Sequence, residues 1–158
     1  MTELYLIRHA RAVEAAASDW ERALLAEGRH EARAVGAALA REGVRLDAML
    51  VSPLVRAVET ATLIAVEIGY EGRLAIDRAL TPEAGTAAMI AAAAQLEGER
   101  VALVGHEPSM GQLLSDLVGR PGMSLVKGGV VRLAVDGAPV PGAARLVWQI
   151  APRQLTPR

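Results

Sequence analysis

The sequence predicts an α/β fold: a three-layer sandwich with a largely parallel central sheet and a C-terminal antiparallel hairpin. Three observations carry that expectation. Short apolar runs of strand length alternate with longer segments of helical period for most of the chain. Three of those runs hand over abruptly to polar residues, as buried strands do at the rim of a sheet. The last two apolar runs follow each other across a Gly/Pro-rich stretch, the pattern of a hairpin. The length, 158 residues, is that of one domain, expected to run from 1 to 158.

The elements read in order as follows. Leu4 to Ile7 is an apolar run ending at Arg8-His9 and reads as a buried strand. Ala10 to Leu25 has no clean period and reads as a loop with a helical turn. Gly28 to Glu42 is a helix, with Ala32, Val35, Gly36 and Leu39 at helical spacing and Gly43 as a stop. Ala48 to Val51 is a second strand, closed by Ser52-Pro53. Leu54 to Ile68 is a helix ended by Gly69. Arg73 to Ile76 is a third strand. Thr86 to Leu96 is Ala-rich and therefore helical, since Ala has the highest helix propensity. Val101 to Val104 is the clearest buried strand. Ser109 to Val118 is a helix with Met110, Leu113, Leu114 and Leu117 on one face, stopped by Gly119 and Pro121. Val130 to Val135 and Leu146 to Ile150 form the hairpin. No repeat or linker interrupts this pattern.

Composition excludes several classes. Lys and Arg total 17 against 18 Asp and Glu, a net charge of −1, which disfavours a bulk nucleic-acid or anionic-membrane binder. There is no Cys, so thiol nucleophiles, disulfides and Cys-ligated metals are out. No signal peptide and no bilayer-length apolar run is visible, and a cytoplasmic location is expected. Phe is absent, so Ala, Leu and Val must fill the core, with Trp20 and Trp148 as its large pieces. Nothing after Leu4 to Ile7 matches the glycine-rich dinucleotide fingerprint.

The polar residues collect at strand ends. The first strand gives Arg8-His9, the second Ser52-Pro53 and then Arg56, the fourth His106-Glu107. In open α/β sheets the ligand crevice lies beyond the carboxyl ends of the strands, so these clusters are expected to converge. Ser52 is placed to cap the helix that follows, with Pro53 at its first position, and Glu107-Pro108 repeats the arrangement. Helix amino ends favour anions, and Arg8 and Arg56 add two guanidinium forks suited to phosphate. His30 falls on the solvent face of its helix. A zinc site on His9 and His106, with Glu14 or Glu107 as third ligand, is the competing arrangement, but Arg8 and Arg56 would repel a dication.

These residues carry a resemblance. Leu6-Ile7-Arg8-His9-Ala10, Ser52-Pro53-Leu54-Val55-Arg56-Ala57 with Thr60, and Val104-Gly105-His106-Glu107-Pro108 resemble the histidine phosphatase superfamily, the phosphoglycerate mutase-like fold. The short length, the block Asp19, Arg22, Leu24, Gly28, Ala32, and the ending with Gly128-Gly129, Trp148 and Pro152 look like its SixA-type phosphohistidine phosphatases. Four departures stand out: Ala10 in the third position of the Arg-His-Gly signature, Glu59 where Gln is frequent, Leu25 where Thr is usual, and Lys127 near a frequent Thr or Ser.

The resemblance implies a metal-independent phosphatase without a cofactor. It makes His9 the nucleophile, and Arg8, Arg56 and His106 the clamp on the transferring phosphoryl group. Relatives acting on esters use a carboxylic acid to protonate the leaving alkoxide; Glu83 and Glu107 are the candidates by position. Few residues separate Ile68 from Leu80, where larger relatives carry a specificity insertion, so the site is expected to be open. An open site suits phosphohistidine on a protein surface, such as a histidine phosphotransfer domain. The alternatives are a small phosphate ester on the same scaffold, or a phosphate-binding module without turnover.

Overall fold

Alternation along single strands decides the layers. In the computed structural model, which describes residues 1–155, β1 (Glu3–Arg8) sends Leu4 and Leu6 into one apolar cluster and Tyr5 and Ile7 into another. The strand β4 (Arg100–Gly105) divides the same way, Val101 and Leu103 against Ala102 and Val104. Both strands are buried on both faces, which explains why they read as continuous apolar runs.

Helices cover the two faces. The helices α1 (Ala26–Arg41) and α2 (Val55–Ile68) bring Val35, Leu39, Ala57, Ala61 and Ile64 onto the face of Tyr5 and Ile7. On the other face α3 (Thr86–Ala94) and α4 (Ser109–Val118) supply Met89, Met110, Leu113, Leu114 and Leu117. Burying each of these Val, Leu, Ile and Met side chains contributes about 1.5–3 kcal/mol, and these two slabs hold the sandwich together.

The remaining strands are β2 (Ala48–Val51), β3 (Leu74–Ile76), β5 (Val130–Val135) and β6 (Ala144–Ile150). Their order across the sheet is β3-β2-β4-β1-β5-β6. The first four are parallel; β5 runs antiparallel to β1, and β6 antiparallel to β5. The expected architecture, including the C-terminal hairpin, is the observed one.

Several details differ from the sequence reading. The helix α1 begins two residues early, at Ala26, because Leu25 donates its N–H to the Arg11 carbonyl and turns the chain there (2.9 Å). The loop between β1 and α1 contains a 3₁₀ turn, Asp19–Glu21, and an isolated bridge between Ala12 and Leu24. Trp20 on that turn is not a core residue. It is 42% exposed, with the Arg78 guanidinium 5.3 Å from its ring centroid. Trp148 is half-buried against Tyr5, ring centroids 6.2 Å apart. Among the described residues no helix is long and apolar enough to cross a membrane.

Gly28 shows how tightly the first turn of α1 sits on the chain leaving β1. It is buried, and a Cβ there would run into the Arg11 carbonyl oxygen. That backbone cannot give without moving the segment that follows His9. Gly28→Ala is therefore expected to destabilise the protein by about 2 kcal/mol, the scale of an overpacked core. Thermal unfolding should show this as a melting temperature lower by about 4–8 °C; an unchanged transition would contradict the close contact.

Candidate active site

Strand register builds the site. Arg8 lies opposite Gly105, and Val51 lies opposite Val104. One residue further along each strand, His9, His106 and Ser52 stand side by side at three adjacent strand exits. The ladder continues to hold them, His9 N–H donating to the Gly105 carbonyl and Ser52 N–H to the Val104 carbonyl, both at 3.0 Å. The His9 and His106 rings end 5.1 Å apart between centroids. Both are buried, as is Arg56 on the first turn of α2; Arg8 is half-buried.

The His9 ring has a fixed tautomer. Its Nδ1 lies 2.7 Å from the Ala10 carbonyl, which can only accept, so Nδ1 carries the proton and Nε2 keeps its lone pair. Ala10 N–H is itself tied to Thr60 Oγ1 at 3.1 Å, and that hydroxyl donates to the Arg56 carbonyl at 2.7 Å. The turn after β1 is thus pinned to the helix that carries Arg56.

His106 is oriented by Ser52. Ser52 Oγ accepts the Leu54 N–H at 3.3 Å and lies 2.7 Å from His106 Nε2. Leu54 N–H can only donate, so among the described residues Nε2 is the acceptor open to the hydroxyl proton; the hydroxyl donates to Nε2, which leaves the His106 proton on Nδ1. That Nδ1 is buried and without a partner. Arg8 Nε and Arg56 Nε are in the same state. Three buried donors near His9 thus carry unused N–H bonds, the kind of group that can bind the oxygens of an anion such as phosphate.

The guanidinium ends are held elsewhere. Arg8 Nη1 donates to the Leu125 carbonyl at 3.0 Å. Arg56 donates to the Asp19 carbonyl at 2.8 Å and to Asp19 Oδ2 at 3.2 Å. Each arginine is clamped at its tip and leaves Nε free.

Electrostatics keep both imidazoles neutral. Burial, with Arg56, Arg8 and Lys127 nearby, pushes His9 down to about 4, the bond to Ala10 opposing this. Burial, then His9 and Arg56, pushes His106 down to about 3, with Asp19 opposing. At neutral pH both rings are therefore uncharged, and His106 is a neutral donor rather than a cation. Burial also lowers Arg8, with Glu107 opposing.

Other residues fall differently from the sequence expectation. Ser52 does not cap α2, which starts at Val55 after Leu54; its hydroxyl is drawn to His106 instead. Glu107 does not cap α4 either. Pro108 takes that position, and Glu107 Oε1 accepts the Leu125 N–H at 3.0 Å. The Leu125 peptide therefore joins Glu107 to Arg8, donating to one and accepting from the other. Glu83 is exposed in the turn before α3, and among the described residues no hydrogen bond or ion pair ties it to His9, Arg8, Arg56 or His106. Glu59 turns away from the site: Oε1 accepts the Leu24 N–H at 2.9 Å and Oε2 lies 3.8 Å from Arg29. Glu14 and His30 are exposed. Among the described residues no group of three His, Asp or Glu is placed to hold a metal ion.

Sequence reasoning missed the functions of Ser52, Asp19 and Leu125 in this arrangement. Ser52 closes a strand next to the site, a signal open to two interpretations. Asp19 lies in an aperiodic loop, and Leu125 acts through its backbone, so neither gives a local sign of its partner.

Comparison with known proteins gives the family and the fold. The model of the histidine phosphatase superfamily (branch 1) matches residues 4–81. An uncharacterised protein of Picosynechococcus sp. is 31% identical over 145 residues, 86% of this chain and 87% of that one. The structure of the protein histidine phosphatase SixA complexed with tungstate superposes with a TM-score of 0.84 at 25% identity, covering 98% of this chain and 99% of that one. A phosphoserine phosphatase of Entamoeba histolytica shares the fold, with a TM-score of 0.73 at 15% identity over 99% and 100% of the two chains.

The neutral imidazoles make stability depend on pH. An unfolded chain takes up these protons near the ordinary value of 6.5, the folded one only near 4 and 3. The unfolded state therefore binds more protons once the pH falls below 6.5. The associated stability is complete above 6.5 and is lost as the pH falls toward 4. Melting temperatures should fall between neutral pH and about pH 5, and less steeply in the His9→Asn/His106→Asn double variant. Equal slopes would show that these rings are not held neutral.

Proposed function

The chain belongs to the histidine phosphatase superfamily, branch 1, and on that premise we propose that it removes phosphate from phosphohistidine on a protein, through a phosphohistidine formed on its own His9. One observation carries the reading. A neutral imidazole with its Nδ1 proton committed to Ala10 stands beside three buried, unused donors, Arg8 Nε, Arg56 Nε and His106 Nδ1.

The steps use what these residues offer. His9 Nε2 attacks phosphorus in line, forming an N–P bond while the substrate's N–P bond breaks and its electron pair goes to the departing imidazole. Arg8, Arg56 and His106 donate to the three equatorial oxygens, where charge accumulates in the transition state. Water then attacks the phosphorus on His9, releasing inorganic phosphate and the free imidazole. The donors are preorganised because Leu125 and Asp19 hold the guanidinium tips. The likeness to SixA supports the reading, since that structure holds tungstate, a tetrahedral oxyanion of the kind these donors would take.

The choice of a phosphoramidate over an ester rests on the leaving group. An alkoxide needs an acid. Asp19 is the carboxylate bonded to the site's Arg56, and Arg22 and Arg56 hold it below the usual carboxylate range, so it stays ionised. Glu107 is engaged with Leu125, and Glu83 is solvent-exposed. Imidazole leaves without such help, because its second nitrogen can carry the proton.

Phosphate release without added metal, from a phosphohistidine protein and in parallel from an aryl phosphate, tests the proposal. The wild type should act on the phosphoprotein and His9→Ala should abolish release. Arg56→Ala should lower kcat/KM by about 10²–10³, the usual loss for one transition-state donor. Release from the aryl phosphate alone would make the protein an esterase. Activity surviving in His9→Ala would remove His9 as the nucleophile.

A further inference from the structure

A groove of about 390 Å³ opens beside Arg8, between the segment carrying Val126 and Lys127 and the 3₁₀ turn Pro152–Gln154. Gly128, next to Lys127, lies against Pro152. It has φ +72, a conformation L side chains rarely adopt, and a Cβ on it would press on Pro152 Cγ at 2.8 Å. Its N–H donates to the His9 carbonyl at 3.0 Å, so the groove wall is fixed to the nucleophile's own backbone.

The charges in the groove are unequal in availability. Arg11 is occupied: Nε binds Glu31 at 2.8 Å and Nη1 binds Glu27 at 3.1 Å. Lys127 and Arg153 are exposed, one on each wall, and among the described residues neither is paired with a carboxylate. Val126, 50% exposed, lies beside Lys127. The chain as a whole carries −1, so this concentration of free positive charge beside the site is local. Lys127 is also close enough to lower His9.

We infer that the Lys127–Arg153 groove is the docking surface for an acidic face of the phosphorylated protein, holding carboxylates that flank its phosphohistidine. The inference rests on the phosphohistidine reading and names the partner's chemistry. An isolated exposed cation holds a small anion weakly. Two of them on opposite walls, with an exposed valine beside one and Arg8 also in the lining, suit several carboxylates presented together on a rigid surface. Complementary charge at such a rim acts on encounter and register rather than on the chemical step.

The test uses two probes: a histidine phosphotransfer domain with carboxylates beside its His, phosphorylated with phosphoramidate, and free phosphohistidine. The ratio of their kcat/KM values is compared in wild type and in the Lys127→Glu/Arg153→Glu double variant. The ratio should fall about tenfold or more, through KM rather than kcat, and the wild-type rate on the domain should fall with salt. Neutralising the domain's flanking carboxylates should reproduce the loss and add little in the double variant. An unchanged ratio overturns the docking surface. So does an equal loss on both probes, which would place the cations at the phosphoryl group itself. A wild type that leaves the phosphorylated domain untouched overturns the phosphohistidine reading and this inference together, so the two failures are distinguishable.

Discussion

The register between β1 and β4 is the constraint on which everything else depends. Pairing Arg8 with Gly105 sets His9 and His106 at neighbouring strand exits and aligns Ser52 beside them through β2. The same register is demanded by the core. A slip of one residue would send Leu4 and Leu6 to the face of α1 and α2, and Tyr5 and Ile7 to the face of α3 and α4. The apolar slabs on the two faces therefore hold the functional residues in line, although none of those residues contributes to them. Stability and site geometry come from one set of contacts.

Within that frame the site accumulates unfavourable electrostatics. Two arginines and two imidazoles are gathered with few counter-charges, and three of their donors are buried without partners. Such groups cost free energy in the folded state, about 1–3 kcal/mol each. The protein limits the cost by keeping both imidazoles neutral and by giving each guanidinium tip an oxygen to bind. Arg8 Nε, Arg56 Nε and His106 Nδ1 remain unsatisfied, all three on residues near His9. A phosphoryl group would relieve all three donors at once, and most strongly when its oxygens carry the most charge.

Much of this was legible in the sequence because its signals are local. Strand-length apolar runs, helical spacing in α1, α2 and α4, and the Gly stops reported the elements to within a few residues. Polar residues at three strand exits reported where the site would assemble. The misreadings came where a side chain had two local options. Ser52 and Glu107 both stand just before a helix, where capping is the common outcome. Ser52 turns instead to His106 and Glu107 to Leu125, partners 54 and 18 residues away. Trp20, expected in the core as a large apolar residue, lies on the rim against Arg78 because its 3₁₀ turn buries no residue.

The sequence by itself determined the fold class, the alternation that assigns each strand residue to a layer, and the set of polar residues exported to the sheet's carboxyl edge. Those follow from period and position, which a chain carries without folding. Only the tertiary structure decided the tautomers of His9 and His106, the clamping of Arg8 and Arg56 by Leu125 and Asp19, the engagement of Glu59 with Leu24 and of Glu107 with Leu125, and the pairing of Arg11 with Glu27 and Glu31 beside the unpaired Lys127 and Arg153. Each depends on which donor meets which acceptor across a long sequence separation, and that is fixed by strand register and helix packing rather than by neighbouring residues.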